Sequence, residues 1–502
     1  MPPHKLIIVG LDAADYGLTK NFIDDGDLPR LSSIRNKGNF SCLNSVVPPV
    51  TPPGWTTITT GVNPGKHGIY YFYNFSTSPA TIVNATNSST PRIWDYVQAA
   101  DGRSVVVNVP VTYPVREISG TMIAGIPPWF WDKRSVYPET LFASLKTSGY
   151  QIDTPLGRSL ESQPELFVRK LVETEEKRAD VFLDLLKGEI WSFGMIVITA
   201  LDRFQHKLVG KGTLESDQVR RGYREIDRLL GKIIDSAGED VNVLVVSDHG
   251  FITTPVAFYP NSWLFRQGLL KRKSSAGSGM VKHLHNFFDG RFLWLPQSIT
   301  KRFQGASTAV NTIDAVDLGS SRAFVPGTDG LVIVKSKDDM AAITNGLSEM
   351  KDSNGEKVCE VYPREKIYHG DRLESAPQLL IIPRDGVNIR SDPFSTEFVS
   401  SSGDFPRGNH GPKGIFFAIG PDIRKSEGLE LQLEDVAPTA LSLMGITPPD
   451  SMDGRIIKEL MAGQQSTKSF EPMMVDRKAE SYRFSKEEEN QVMDNLRRLG
   501  YT

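Results

Sequence analysis

Cysteine is nearly missing from this sequence: Cys42 and Cys359 are the only two among 502 residues. That leaves neither a disulfide framework nor a thiolate metal site to organise the fold. A charge excess is missing too. The 57 Lys and Arg nearly balance the 60 Asp and Glu, a net charge of −3, which excludes bulk attraction to nucleic acid. No uninterrupted apolar run reaches membrane-spanning length. Leu6–Leu11 is also too short for a signal peptide and stops at Asp12, so a cytoplasmic chain is expected. Internal repeats are absent. The 39% hydrophobic and 23% charged residues suit a soluble globular protein, and the length predicts two domains or one core with large insertions.

The patterning that is present alternates strands with helices. Lys5–Leu11 is continuous and rich in β-branched residues, as a buried parallel strand is, and it ends at Asp12. Helical spacing follows through Arg30–Lys37, and a strand near Phe40–Val47 leads to Thr51. Helices are predicted over Arg92–Ala99, Pro164–Lys187 and Ser216–Ser236, with strands at Ser104–Val109, Ile190–Ala200 and Val241–Val246. Residues 115–160, rich in Pro, Gly and aromatics, read as irregular walls around a site. Regular patterning resumes with strands at Gly330–Val334, Gln378–Ile382 and Gly414–Ile419 and helices over Asp338–Met350 and Glu434–Leu443. Such alternation predicts an α/β fold with a mostly parallel sheet.

These shifts set the expected boundaries. Residues 1–255 and 326–462 form a discontinuous α/β core, 256–325 an insertion, and 463–502 a linker with a short amphipathic helix capped by Ser485 and Glu488. Between Arg266 and Arg302 the insertion holds one acid, Asp289, among interleaved basic and aromatic residues. It reads either as a solvated insertion with a small apolar face or as a basic surface for a phosphorylated substrate or anionic lipid head groups.

Three predicted strands end near an aspartate: Asp12, Asp202 and Asp248. Open α/β sheets place their ligands at that edge. His206 lies one helical turn after Asp202, His249 adjoins Asp248, and His410 sits in a Gly-rich loop. Mixed carboxylate and imidazole donors suit Zn²⁺, with Mn²⁺ or Fe as alternatives. With the Thr51 oxygen they are too many for one tetrahedral ion and right for two. Thr51 opens Thr-Pro-Pro-Gly-Trp, a proline-led helix start whose amides and dipole would favour an anion. A helix N-cap explains the same threonine.

The ordered set Asp12, Thr51-Pro-Pro-Gly-Trp-Thr-Thr-Ile-Thr-Thr-Gly, Pro-Gly-Lys-His67-Gly, Asp202-x-x-x-His206, Asp248-His249-Gly and His410-Gly resembles the alkaline phosphatase superfamily. Its type I phosphodiesterase/nucleotide pyrophosphatase branch matches best, from residue 5 to about 460 outside the insertion. The resemblance implies a three-layer α/β/α sandwich with a variable cap. It implies one zinc on Asp202, His206 and His410, another on Asp12, Asp248 and His249, and a covalent phospho-threonine at Thr51. Where nucleotide pyrophosphatases carry a phosphate-holding asparagine this chain has Phe72, with Asn74 two residues on. Neither a sulfatase C/S-x-P-x-R motif nor the serine-centred loop of cofactor-independent phosphoglycerate mutases is found.

The expected activity is metal-dependent hydrolysis of a phosphodiester or pyrophosphate bond in a small phosphorylated substrate, not a nucleic acid polymer. A phosphomutase or phospho-alcohol transferase on the same two-metal site, and a metal-stabilised binding scaffold, are the alternatives. Asn74, Lys66 and Arg203 are the expected substrate contacts, each with an ordinary structural explanation beside it. His67 reads as a brace for its turn, and His283, His285 and His369 as ordinary. Gln205 stands beside the metal candidates. Trp55 and Trp129–Trp131 read as stacking surfaces or as wall packing.

Overall fold

Leu6–Leu11 forms strand β1 near the middle of a nine-stranded sheet. The structure, a computed structural model, describes residues 4–77, 80–154, 163–209, 215–273, 315–401, 407–463, 466–472 and 482–499. The other strands of this sheet are β2 (Asn39–Asn44), β3 (Ser104–Val109), β4 (Gly120–Ala124), β5 (Val136–Tyr137), β6 (Phe193–Ile198), β7 (Asn242–Val246), β8 (Lys413–Ile419) and β9 (Ser426–Gln432). Their order is β9-β2-β8-β7-β1-β6-β3-β4-β5. Strand β1 pairs in parallel with β6 and β7, as do β3 with β6 and β4, and β2 with β9. Strand β8 runs antiparallel to both β7 and β2, and β5 to β4.

The pleat sends alternate β1 side chains to opposite faces. Ile7, Val9 and Leu11 join one apolar cluster with Phe22, Phe182 and Leu229, from helices Tyr16–Asp24, Pro164–Gly188 and Asp217–Ala237. Leu6 and Ile8 join a second with Trp55, Trp94 and Leu441, from helices Thr51–Thr60, Ile93–Ala99 and Val436–Leu443. Helices therefore cover both faces, giving the three-layer arrangement. Each large apolar side chain so buried contributes about 1.5–3 kcal/mol.

Two expectations need correction. Residues 115–160 are not only irregular wall: β4 and β5 lie in the central sheet, and Ile118, Met122, Ile123 and Ile126 are buried. The five-residue strand owes its extended form to the ladder with β3 and the two-residue strand to the ladder with β4, which no local pattern announces. The division of the chain also differs. One compact unit takes residues 1–253, 365–376 and 404–499, and a second takes 254–364 and 377–403. The patterning between residues 330 and 383 is therefore real but builds a separate sheet. It has four strands in the order Ala323–Phe324, Leu331–Val334, Leu379–Pro383, Cys359–Pro363. Trp263, Val332, Ile343 and Leu379 contribute to its own apolar cluster. Of the expected 256–325 insertion, residues 274–314, with His283 and His285, lie outside the described residues.

The C-terminal helix spans Lys486–Leu499. Its capping box is formed: the Ser485 N–H donates to Glu488 Oε2 at 2.7 Å and the Glu488 N–H to Ser485 Oγ at 3.3 Å. Among the described residues no helix is long and apolar enough to cross a membrane.

Candidate active site

Asp12 follows β1, and Asp248 and His249 follow β7, its parallel neighbour, so three polar side chains share one sheet edge. His249 Nε2 lies 3.6 Å from Asp12 Oδ1 and 3.4 Å from Asp248 Oδ2. All three residues are buried. His249 Nδ1 is 3.0 Å from the Gly250 carbonyl and must carry its proton to donate there, which leaves Nε2 as a bare lone pair. Burial, and then His410, holds the imidazole well below its ordinary pKa, so it is neutral. Burial and the Asp202 charge raise the Asp12 carboxyl well above its ordinary value, and burial and Asp12 do the same to Asp248. Asp12 Oδ1, Asp248 Oδ2 and His249 Nε2 make no hydrogen bond. Buried acceptors facing one another could hold a shared cation.

The turn that presents Asp12 is strained. Ala13 has φ 62°, the left-handed region, which costs a non-glycine about 1–2 kcal/mol. Its N–H donates to Asp248 Oδ1 at 3.3 Å, fastening the two aspartates' loops together.

Asp202 departs from the strand-end expectation. Strand β6 closes at Ile198, and Asp202 sits in the first turn of helix Ala200–Leu208. That helix places His206 one turn on, with Nε2 3.2 Å from Asp202 Oδ1. His410 comes from strand Arg407–Gly411, just before β8, and its Nε2 lies 2.9 Å from His206 Nε2 and 3.5 Å from Asp202 Oδ1. The His249 and His410 rings approach with centroids 4.1 Å apart. Asp202, His249 and His410 thus offer donor atoms within 4.8 Å of one another, as do Asp12, Asp248 and His249. All six side chains gather, with His249 common to both groups. Burial raises the Asp202 carboxyl, but His206 and His410 outweigh it and carry it well below the ordinary range.

Thr51 is the first residue of helix Thr51–Thr60, and Val50 holds the cap position. The N-cap explanation therefore fails. Thr51 Oγ1 is buried and makes no hydrogen bond. The amides expected to attract an anion are also lacking: Pro52 and Pro53 have no N–H, and the Gly54 N–H donates to the Val50 carbonyl at 3.1 Å. What the helix start offers is close approach. A Cβ on Gly54 would lie 2.9 Å from Asp248 Cβ. Trp55 belongs to the wall rather than to a stacking surface: it is fully buried, and its Nε1–H donates to Asp12 Oδ2 at 3.4 Å. The indole lies so close over β1 that a Cβ on Gly10 would meet Trp55 Cη2 at 2.2 Å.

A sequence model of the type I phosphodiesterase/nucleotide pyrophosphatase family matches residues 6–413. The chain belongs to that family. It is a hydrolase acting on phosphoester bonds. Among solved structures, the chain is similar to the Sinorhizobium meliloti phosphonoacetate hydrolase in complex with phosphonoacetate. The TM-score is 0.59 at 16% identity, covering 88% of this chain and 96% of that one. Human ectonucleotide pyrophosphatase/phosphodiesterase 5 aligns with TM-score 0.52 at 15% identity, covering 91% and 100%. An inactive threonine-to-alanine form of the murine protein in complex with AMP gives 0.54 at 16%, covering 91% and 100%. These likenesses concern the fold, which is alkaline phosphatase-like. No curated protein matches the chain significantly.

The expected substrate contacts are engaged elsewhere. Lys66 Nζ pairs with Asp453 Oδ1 at 2.5 Å and donates to the Ser451 carbonyl at 2.9 Å. Asn74 Oδ1 accepts from the Ser76 N–H and hydroxyl at 3.0 and 2.6 Å, a local Asx turn. Arg203 is buried, with NH1 2.6 Å from Asp202 Oδ2 and NH2 3.0 Å from Asp153 Oδ2. Trp129 donates to that same Asp153 oxygen at 2.8 Å. His67 braces its turn as expected: Nδ1 accepts the Ile69 N–H at 3.1 Å, so Nε2–H donates to Thr57 Oγ1 at 3.0 Å. Burial, and then Arg92, lowers its pKa to about 3. His369 is less ordinary than expected, since it shares Asp453 with Asn63 and Lys66.

Proposed function

We propose that this chain hydrolyses a phosphodiester or pyrophosphate bond in a small phosphorylated substrate, with Thr51 as nucleophile and two divalent cations as cofactors. One observation carries the reading: a buried threonine hydroxyl without a hydrogen bond stands at the head of a helix whose first turn packs on Asp248. Asp12, Asp248 and His249 would hold one cation and Asp202, His206 and His410 the other. The donor chemistry favours zinc, with manganese as the alternative. The cations supply Lewis acidity, offsetting phosphoryl charge and lowering the pKa of a nearby hydroxyl.

The residues of the chain do the rest. The Thr51 hydroxyl gives its proton to water and Oγ attacks phosphorus, forming an Oγ–P bond as the bond to the leaving oxygen breaks and the leaving group departs as an anion that takes a proton from water. Water then attacks the phospho-threonine, and the Oγ–P bond breaks to restore the hydroxyl. Trp55 and the Ala13 N–H fix the two carboxylates of the β1–β7 edge, and Arg203 fixes the outer oxygen of Asp202. The inactivity of the murine relative's threonine-to-alanine form accords with this assignment.

Hydrolysis of bis-p-nitrophenyl phosphate, with zinc or manganese and then with chelator, tests the reading. Thr51→Ala is expected to lower turnover about a thousandfold or more. No turnover with either metal, or an unchanged rate in Thr51→Ala, would refute it. Product release only on addition of an alcohol acceptor would make the enzyme a transferase.

A further inference from the structure

Gln205 stands on the helix that carries Asp202 and His206, and it is fully buried. Its Nε2 donates to the Ala13 carbonyl at 2.8 Å. Its Oε1 accepts the Tyr223 hydroxyl at 3.3 Å, and that hydroxyl in turn accepts the Asp15 N–H at 3.3 Å. The amide therefore has one orientation, with oxygen towards Tyr223 and NH₂ towards Ala13. Asp15 is fixed as well: Oδ1 accepts the Leu18 N–H at 2.8 Å and Oδ2 the Phe251 N–H at 3.4 Å.

The recipient of the Gln205 bond is what gives it meaning. Ala13 is the left-handed residue next to Asp12, and its N–H already donates to Asp248. Residue 13 is thus held on its N–H by one triad and on its carbonyl by the helix of the other. Asp12 rides on that residue. This bond joins the Asp12 turn directly to the Asp202–His206 helix.

Resting on the two-cation reading, we propose that Gln205 is a positioning residue that ties the two acid–imidazole triads together, so that cation affinity depends on it although it touches neither cation nor substrate. Residues that orient ligands in this way typically change metal affinity 10–100-fold when altered. Gln205→Met keeps the length and buried bulk of the side chain and removes both hydrogen bonds.

Titration calorimetry of the metal-stripped full chain with Zn²⁺ and with Mn²⁺ tests the proposal. Gln205→Met is expected to bind about 10–100-fold more weakly than the unaltered protein. Tyr223→Phe, which removes only the hydroxyl that orients Gln205, is expected to lose about 3–10-fold, as one hydrogen bond would. A purely structural role would lower the melting temperature of the metal-free variants and leave affinity unchanged, and that result overturns the proposal. If Gln205→Met does not fold, Tyr223→Phe decides, and unaltered affinity there overturns it equally. Failure of the unaltered chain to bind either cation would instead overturn the two-cation reading, and this proposal with it.

Discussion

Replacing Trp55 by phenylalanine is expected to separate packing from metal binding in one side chain. The indole fills a fully buried site over Gly10 and donates one hydrogen bond to Asp12 Oδ2 at 3.4 Å. Phenylalanine keeps an aromatic ring but has no donor. The distance is at the long end for a hydrogen bond, so the lower part of the range for a charged acceptor applies, about 1.5 kcal/mol. Because the bond is present without metal as well, only the strength it gains on the ionised, metal-holding carboxylate weakens cation binding, at most about tenfold. The missing ring atoms leave a cavity and cost about 1–3 kcal/mol of stability. This loss falls equally on metal-free and metal-loaded protein, so it cancels from the affinity. Urea unfolding without metal reads the packing loss, and titration calorimetry with Zn²⁺ reads the ligand loss. A destabilised variant that binds zinc as tightly as the unaltered chain would show that Trp55 is packing alone.

Gly10→Ala places a methyl 2.2 Å from Trp55 Cη2 and 2.9 Å from Val197 Cγ2, inside a core without slack. A loss of about 3 kcal/mol or more is expected in urea unfolding, and unaltered stability would refute the close approach. Asp453 has its pKa lowered to about 2; burial opposes the shift, and Lys66, Asn63 and His369 outweigh it. Its carboxylate therefore contributes about 2 kcal/mol above the ordinary 3.8, lost as pH falls from about 4 towards 2. Asp453→Asn should be less stable at pH 7 and flatter over that acid range, and a parallel pH profile would refute the pairing. Chelation should lower the melting temperature, because Asp12 and Asp248 then face each other buried without compensation. At a free metal concentration 100 times Kd the stabilisation lost is about 2.7 kcal/mol. Scanning calorimetry with and without chelator measures it.

The residues that gather at the candidate site were legible in the sequence from local signals. A four-residue step on a helix brings Asp202 and His206 together, and a strand end delivers Asp12. Regular elements were legible for the same reason: the apolar runs of β1, β3, β6 and β7 announce themselves. What sequence reasoning missed depends on partners far along the chain. Lys66 and Arg203 look available until Asp453 and Asp153 are placed beside them. Trp55 could be assigned to the wall only once Asp12 stood 3.4 Å from its nitrogen. Proline at 52 and 53 is itself a legible signal that the helix start lacks amide donors. The second unit was misassigned because short antiparallel strands at 331–334 and 379–383 resemble a returning core until their pairing is known.

Strand β8 has one further consequence. It is wedged between β7 and β2, although residues 413–419 come some 370 positions after β2. A chain emerging from the ribosome must therefore hold an open seam in its principal sheet until its last fifth is synthesised. The same late segment delivers His410, so the candidate donor set is completed only as the seam closes. A nascent or truncated polypeptide ending before residue 407 would keep five of the six donors and a bare pair of strand edges, an invitation to chaperones and to aggregation alike.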